Sequence, residues 1–99
     1  MTLNDLIVAV KEKNLSKDQL EAYRDQLSSL YAEMQLEMAE LEKEEALYMV
    51  NKPKDESIAR RITLWEATES GLRLIVLKRY CLATKELLNS LKSRLYSIY

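Results

Sequence analysis

The chain has 99 residues, with 15 Lys and Arg against 16 Asp and Glu, no His, and one each of Gly, Pro and Cys. Strand-rich folds need turn residues every 8–12 positions or so, and phosphate-cradling loops need several glycines, so this composition excludes both. Without His there is no imidazole base and no His-ligated metal, and a lone Cys81 forms no disulfide within the chain.

The first helix is predicted over residues 3–13. Thr2 is its cap, Asp5 the capping-box partner three residues on, and Leu3, Leu6, Ile7 and Val10 its apolar face. Asn14 suits a left-handed C-terminal cap.

The second helix is predicted over residues 16–50. Ser16 and Gln19 form an S-x-x-Q capping box, and Leu15 and Leu20 bracket it as a hydrophobic staple. Leu20, Leu27, Met34, Leu41 and Tyr48 recur every seven residues. Tyr23 and Leu30 hold the intermediate position until Glu37 and Glu44 take it, and Tyr31 and Met38 move in beside it. That drift is the mismatch between 3.6 residues per turn and a strict heptad.

Residues 51–55 (Asn-Lys-Pro-Lys-Asp) form the predicted loop, because Pro53 cannot continue the helix and holds Lys52 extended. Asp55 or Ser57 then caps a third helix over residues 56–98. Its seam is Leu74, Leu77, Cys81, Thr84, Leu88, Leu91, Leu95 and Ile98, and Ile58, Ile62, Trp65 and Leu72 extend a stripe through its first part. Gly71 lies inside it as a kink, a close-packing point or a break; the favoured reading is a continuous helix with a local distortion.

The fold class expected is all-α: a long antiparallel, coiled-coil-like helical hairpin with a short N-terminal helix, assembled as an oligomer. The oligomer follows from residues 72–83, which are apolar on more than one face and exceed what one partner helix can cover. Trp65, Leu72, Ile75, Val76 and Tyr80 are the expected interface, with Trp65 read as an anchor in the core or in that interface. The N-terminus lacks a basic region followed by an apolar block, and no stretch is apolar enough to span a bilayer. The sequence therefore predicts no membrane association and a cytoplasmic location, the host cytoplasm if the source is viral.

Charge is divided along the chain. Residues 1–50 carry five basic and eleven acidic groups, and residues 51–99 ten basic and five acidic. One reading is pairing between the two long helices; a hairpin pivoting near Pro53 brings Glu33 toward Arg73. The other is nucleic-acid contact. Lys78, Lys85 and Lys92 lie seven apart, Arg79 and Arg94 share their helix, and Tyr80, Tyr96 and Tyr99 are interleaved. Basic groups beside aromatic platforms suit a single strand. The expected contacts are Lys78, Arg79, Lys85, Lys92, Arg94 and Tyr96.

Three E-x-x-E pairs, Glu37/Glu40, Glu42/Glu45 and Glu66/Glu69, place two carboxylates on one helical face. Facing pairs can hold Mg²⁺, as in the all-helical nucleotide pyrophosphohydrolases of the MazG kind, but the second pair there ends in Asp and here in Glu69. A solvated acidic face is the preferred reading, with no enzymatic activity and no cofactor expected. Cys81 sits on the seam and has no His to activate it, which makes it a small core residue.

The layout resembles the phage recombination mediators of the UvsY-like family. The local likeness is to their closing helix, in Leu82-Ala83-Thr84-Lys85-Glu86-Leu87-Leu88-Asn89-Ser90-Leu91-Lys92-Ser93-Arg94-Leu95. The resemblance implies an oligomer that binds single-stranded DNA and helps a recombinase displace a single-strand-binding protein, with Lys85, Lys92 and Arg94 as backbone contacts. The alternative is a protein–protein module, such as a viral inhibitor, anti-defence factor or scaffold. It would act through the apolar 72–83 surface or through the acidic run from Glu33 to Glu45.

Overall fold

A computed structural model describes residues 2–51 and 56–98. Four helices follow in order: α1 (Leu3–Val10), α2 (Lys17–Val50), α3 (Ile58–Glu66) and α4 (Glu69–Ile98). No strand occurs among the described residues. Helices α2 and α4 form a helical hairpin, preceded by the short α1. Of the predicted loop at 51–55, residues 52–55, with Asp55 as a cap, lie outside the described residues.

The chain divides into two compact units, Met1–Glu33 with Cys81–Tyr99, and Met34–Tyr80. In the first, Leu6 and Val10 of α1, Leu20 and Leu27 of α2, and Leu88, Leu91 and Leu95 of α4 form one buried cluster. In the second, Leu41 of α2, Trp65 of α3, and Leu74 and Leu77 of α4 form another, and Met34, Met38 and Tyr48 pack on it. Burying a leucine in such a seam contributes about 1.5–3 kcal/mol. The seam positions from Leu74 to Leu95, including Cys81 and Thr84, are all buried. Glu37 and Glu44 are exposed, as the heptad drift requires.

Helix starts follow local chemistry. The Thr2–Asp5 capping box is closed by two backbone-to-side-chain bonds of 3.1 and 3.2 Å. These bonds to Thr2 hold the Asp5 carboxyl below its ordinary value. The Ser16–Gln19 box closes at 2.9 and 3.2 Å, with Leu20 buried and Leu15, half-buried, packed against the same cluster. Ser57 caps α3, its hydroxyl accepting from the Arg60 N–H at 3.2 Å.

Four expectations need correction. First, α1 ends at Val10, not at residue 13. Its cap is Lys11 in right-handed conformation, and among the described residues no non-glycine has positive φ, so Asn14 is not a left-handed cap. The physical reason is that a distant guanidinium, Arg94, takes carbonyls at the end of α1.

Second, the predicted helix over 56–98 is broken at Ala67–Thr68, three residues before Gly71. The Thr68 hydroxyl donates to the Trp65 carbonyl at 2.6 Å and accepts from the Gly71 N–H at 3.0 Å, tying off α3 and capping α4 together. Gly71 is needed because of closeness: a Cβ there would stand 2.0 Å from the Trp65 carbonyl oxygen, while its φ is not positive.

Third, the corner turns the expected stripe of α3 outward. Trp65 is buried, but Ile58, Ile62 and Leu72 are exposed. Trp65 packs in the core, tilted against Tyr48 with ring centroids 5.6 Å apart.

Fourth, Arg73 pairs with Glu37, not Glu33, through two bonds of 3.0 Å. The corner consumes chain length, so α4 meets α2 one turn nearer the loop than a straight helix would.

Replacing Gly71 with Ala should lower stability by about 3 kcal/mol, because the new methyl meets backbone and not a movable side chain. Thr68→Val should cost about 1 kcal/mol through loss of the cap. Urea denaturation followed by circular dichroism distinguishes the two, and a Gly71→Ala protein of unchanged stability would show the corner to be soft.

Candidate nucleic-acid interface

The six residues expected to contact nucleic acid do not share one environment. Lys85 and Lys92 of α4 line a groove of about 300 Å³ with Asn89 and Leu88 between them and Ser28 and Tyr31 of α2 opposite. This lining has two ammonium groups, an amide, a hydroxyl and a phenol, and no carboxylate. Lys85, Asn89 and Lys92 are spaced four and three apart, which puts them on one side of α4. Ser28 and Tyr31 do the same on α2. Tyr31 is half-buried, so its ring is held at the groove wall.

Lys78 lies in the other unit and faces acids: a shallow cleft of about 330 Å³ is lined by Lys78, Glu42, Glu45, Ala46 and Met49. A phosphate approaching Lys78 meets two carboxylates as well. Arg79 is exposed on the outer side of α4, among Leu72, Ile75 and Val76. Tyr96 is 85% exposed, available to stack but held by no neighbour in its own core.

Arg94 has structural work. Its guanidinium donates to the Val10 carbonyl at 2.6 Å and the Glu12 carbonyl at 2.8 Å. It lines a cleft of about 410 Å³ with Lys11, Glu12, Lys13, Leu87 and Ser90. Helix α1 has no basic residue in its last turn, and Arg94 brings the missing cation to its C-terminal end. Arg61 of α3 likewise donates to the Met49 carbonyl near the end of α2, at 3.3 Å. Arg73 is pushed up in pKa by its bonds to Glu37.

The four expected interface residues other than Trp65 are all exposed: Leu72, Ile75, Val76 and Tyr80. Burial pushes the Cys81 thiol up, which leaves little thiolate near neutrality. Among the described residues, no group of three or more His, Cys, Asp or Glu side chains converges as a metal site. No helix among them is long and apolar enough to cross a membrane.

Sequence reasoning missed Ser28, Tyr31 and Asn89. Tyr31 was visible only as part of the drifting seam, and Ser28 and Asn89 carry no pattern of their own. Only the pairing of α2 with α4 brings them to the two lysines.

The chain matches no protein-family model, no curated protein and no solved structure.

Arg94→Ala should cost about 2 kcal/mol, the worth of charge-assisted bonds at a partly buried site. Arg94→Lys should recover little of it, since an ammonium lacks the fork that reaches two carbonyls. Lys92→Ala, on the exposed groove wall, should stay within about 0.5 kcal/mol of the parent. Thermal unfolding of the three variants makes the comparison, and equal losses would contradict the assignment.

Proposed function

We propose that the protein is a non-enzymatic nucleic-acid-binding accessory factor that holds a single strand in the Lys85–Lys92 groove. The observation that carries this reading is a groove with two lysines, three neutral hydrogen-bonding side chains and no acid. The lysines are placed to neutralise successive phosphates, and Asn89 and Ser28 to donate to phosphate or sugar oxygens. Tyr31 at the wall, with Tyr96 exposed on the same helix as the lysines, offers stacking that tolerates any base. The UvsY-like layout points the same way, toward single-stranded DNA as partner and a role beside a recombinase. Arg94 drops out of the contact set on this reading, because its guanidinium is engaged by α1, and Lys78 contributes little beside Glu42 and Glu45.

A second reading, as a protein-interaction module, draws on a different observation. The unit Met34–Tyr80 buries few large apolar side chains and exposes many, among them Leu36, Leu47, Val50, Ile58, Leu72 and Ile75.

Fluorescence anisotropy of a labelled single-stranded oligonucleotide tests the first reading. Binding should weaken with salt, and Lys85→Glu with Lys92→Glu should abolish it at moderate salt. Replacing both lysines with Gln should flatten the slope of log K against log salt by about 1.4 per bound chain, from two phosphate contacts on a single strand. Lys11→Gln should change neither. Absence of binding by the parent at low salt would overturn the proposal.

A further inference from the structure

Helix α3 is weakly anchored in its unit. Of its nine residues, Trp65 is buried, Arg61 is half-buried and the rest are exposed, Ile58, Ile62 and Leu64 among them. Trp65 joins the cluster of Leu41, Leu74 and Leu77 and meets the Tyr48 ring. Arg61 donates to the Met49 carbonyl of α2 at 3.3 Å. The other short helix, α1, is held more firmly: it buries both Leu6 and Val10, and Arg94 donates to the Val10 carbonyl at 2.6 Å. A helix of nine residues is marginal in water by itself, since isolated helices need roughly 12–15. Helix α3 therefore persists by docking, and its docking rests chiefly on one aromatic side chain.

The corner makes α3 separable from α4. The Leu72 N–H donates to the Thr68 carbonyl at 2.9 Å and the Gly71 N–H to the Thr68 hydroxyl at 3.0 Å, so α4 is capped from Thr68 onward. Helix α3 has its own cap in Ser57. Ala67, between them, has ordinary right-handed backbone angles, and no described residue has positive φ. No backbone strain thus fixes the bend. It is held by Trp65 in the cluster and by the bond of the Thr68 hydroxyl to the Trp65 carbonyl.

The remaining core of the unit does not need α3 to stay together. Leu41 of α2 and Leu74 and Leu77 of α4 share one cluster, with Met34 and Met38 packed on it, and the Arg73–Glu37 pair joins the same two helices. Elements with few buried contacts open at lower free energy than the core around them.

We propose that α3 is a strap that opens as a unit about Ala67–Thr68 while α2 and α4 remain paired. Opening withdraws Trp65 and bares Leu41, Leu74 and Leu77, an apolar surface that the closed chain conceals. The strap is independent of the groove at Lys85 and Lys92, which lies in the other unit.

Amide hydrogen exchange of the full chain in water, followed residue by residue, tests it. The α3 amides from Ile62 to Glu66 should exchange at least about tenfold faster than those of Leu74 to Leu77 in α4 and of Met38 to Leu41 in α2. Arg61→Ala removes the bond to the Met49 carbonyl, and it should speed the α3 amides about fivefold further while leaving the α2 and α4 amides at the parent rate. Equal protection in the three helices would overturn the strap, because α3 would then open only with the whole unit. A uniform acceleration of all three by Arg61→Ala would overturn it equally.

Discussion

Two helices in contact can bury only one stripe each. In this protein the stripes are Leu20 to Tyr48 on α2 and Leu74 to Leu95 on α4, and they hold most of the core. Every other feature follows from what that contact leaves over. The first unit adds α1, whose Leu6 and Val10 close over the leucines, so few large apolar side chains remain outside. The second unit receives only Trp65 from α3. Its outer faces stay uncovered, with Leu36, Leu47, Leu72 and Ile75 exposed.

The basic residues separate by chemistry. Arg61, Arg73 and Arg94 are engaged with carbonyls or a carboxylate. A planar fork reaches two acceptors at once, and a guanidinium loses less on leaving water than an ammonium does. Two of these arginines supply helices whose last turns hold no cation of their own. Lys85 and Lys92 are exposed at the groove, as strongly hydrated point charges tend to be. The groove is basic for that reason.

The acidic and basic halves of the sequence are mixed by folding. The first unit contains seven basic groups and seven acidic ones, and the second eight and nine, although the first 50 residues alone are strongly acidic. Pairing of α2 with α4 therefore removes most of the dipole written along the chain. What persists is local: an acid-free groove in the first unit. Surface ion pairs such as Arg73–Glu37, half-exposed on both sides, contribute about 0–1 kcal/mol and act chiefly on register.

Periodicity and capping were enough to read the all-α hairpin, the ends of α2 and the inner seam, because a heptad of leucines and an S-x-x-Q box are local signals with few other solutions. The corner at Thr68 was not legible. A helix break without proline depends on one hydroxyl bridging the Trp65 carbonyl and the Gly71 N–H, and the sequence marks Gly71 without saying what approaches it. Trp65 could be read as core or interface, and packing against Tyr48 and Leu41 places it in the core. The site was half legible: Lys85 and Lys92 stood out by spacing, while Arg94, on the same helix, had a different fate. Spacing along one helix states which side chains share a face. Only the tertiary structure decides which of them another helix claims, because that depends on carbonyls, here those of Val10 and Glu12, more than eighty residues away.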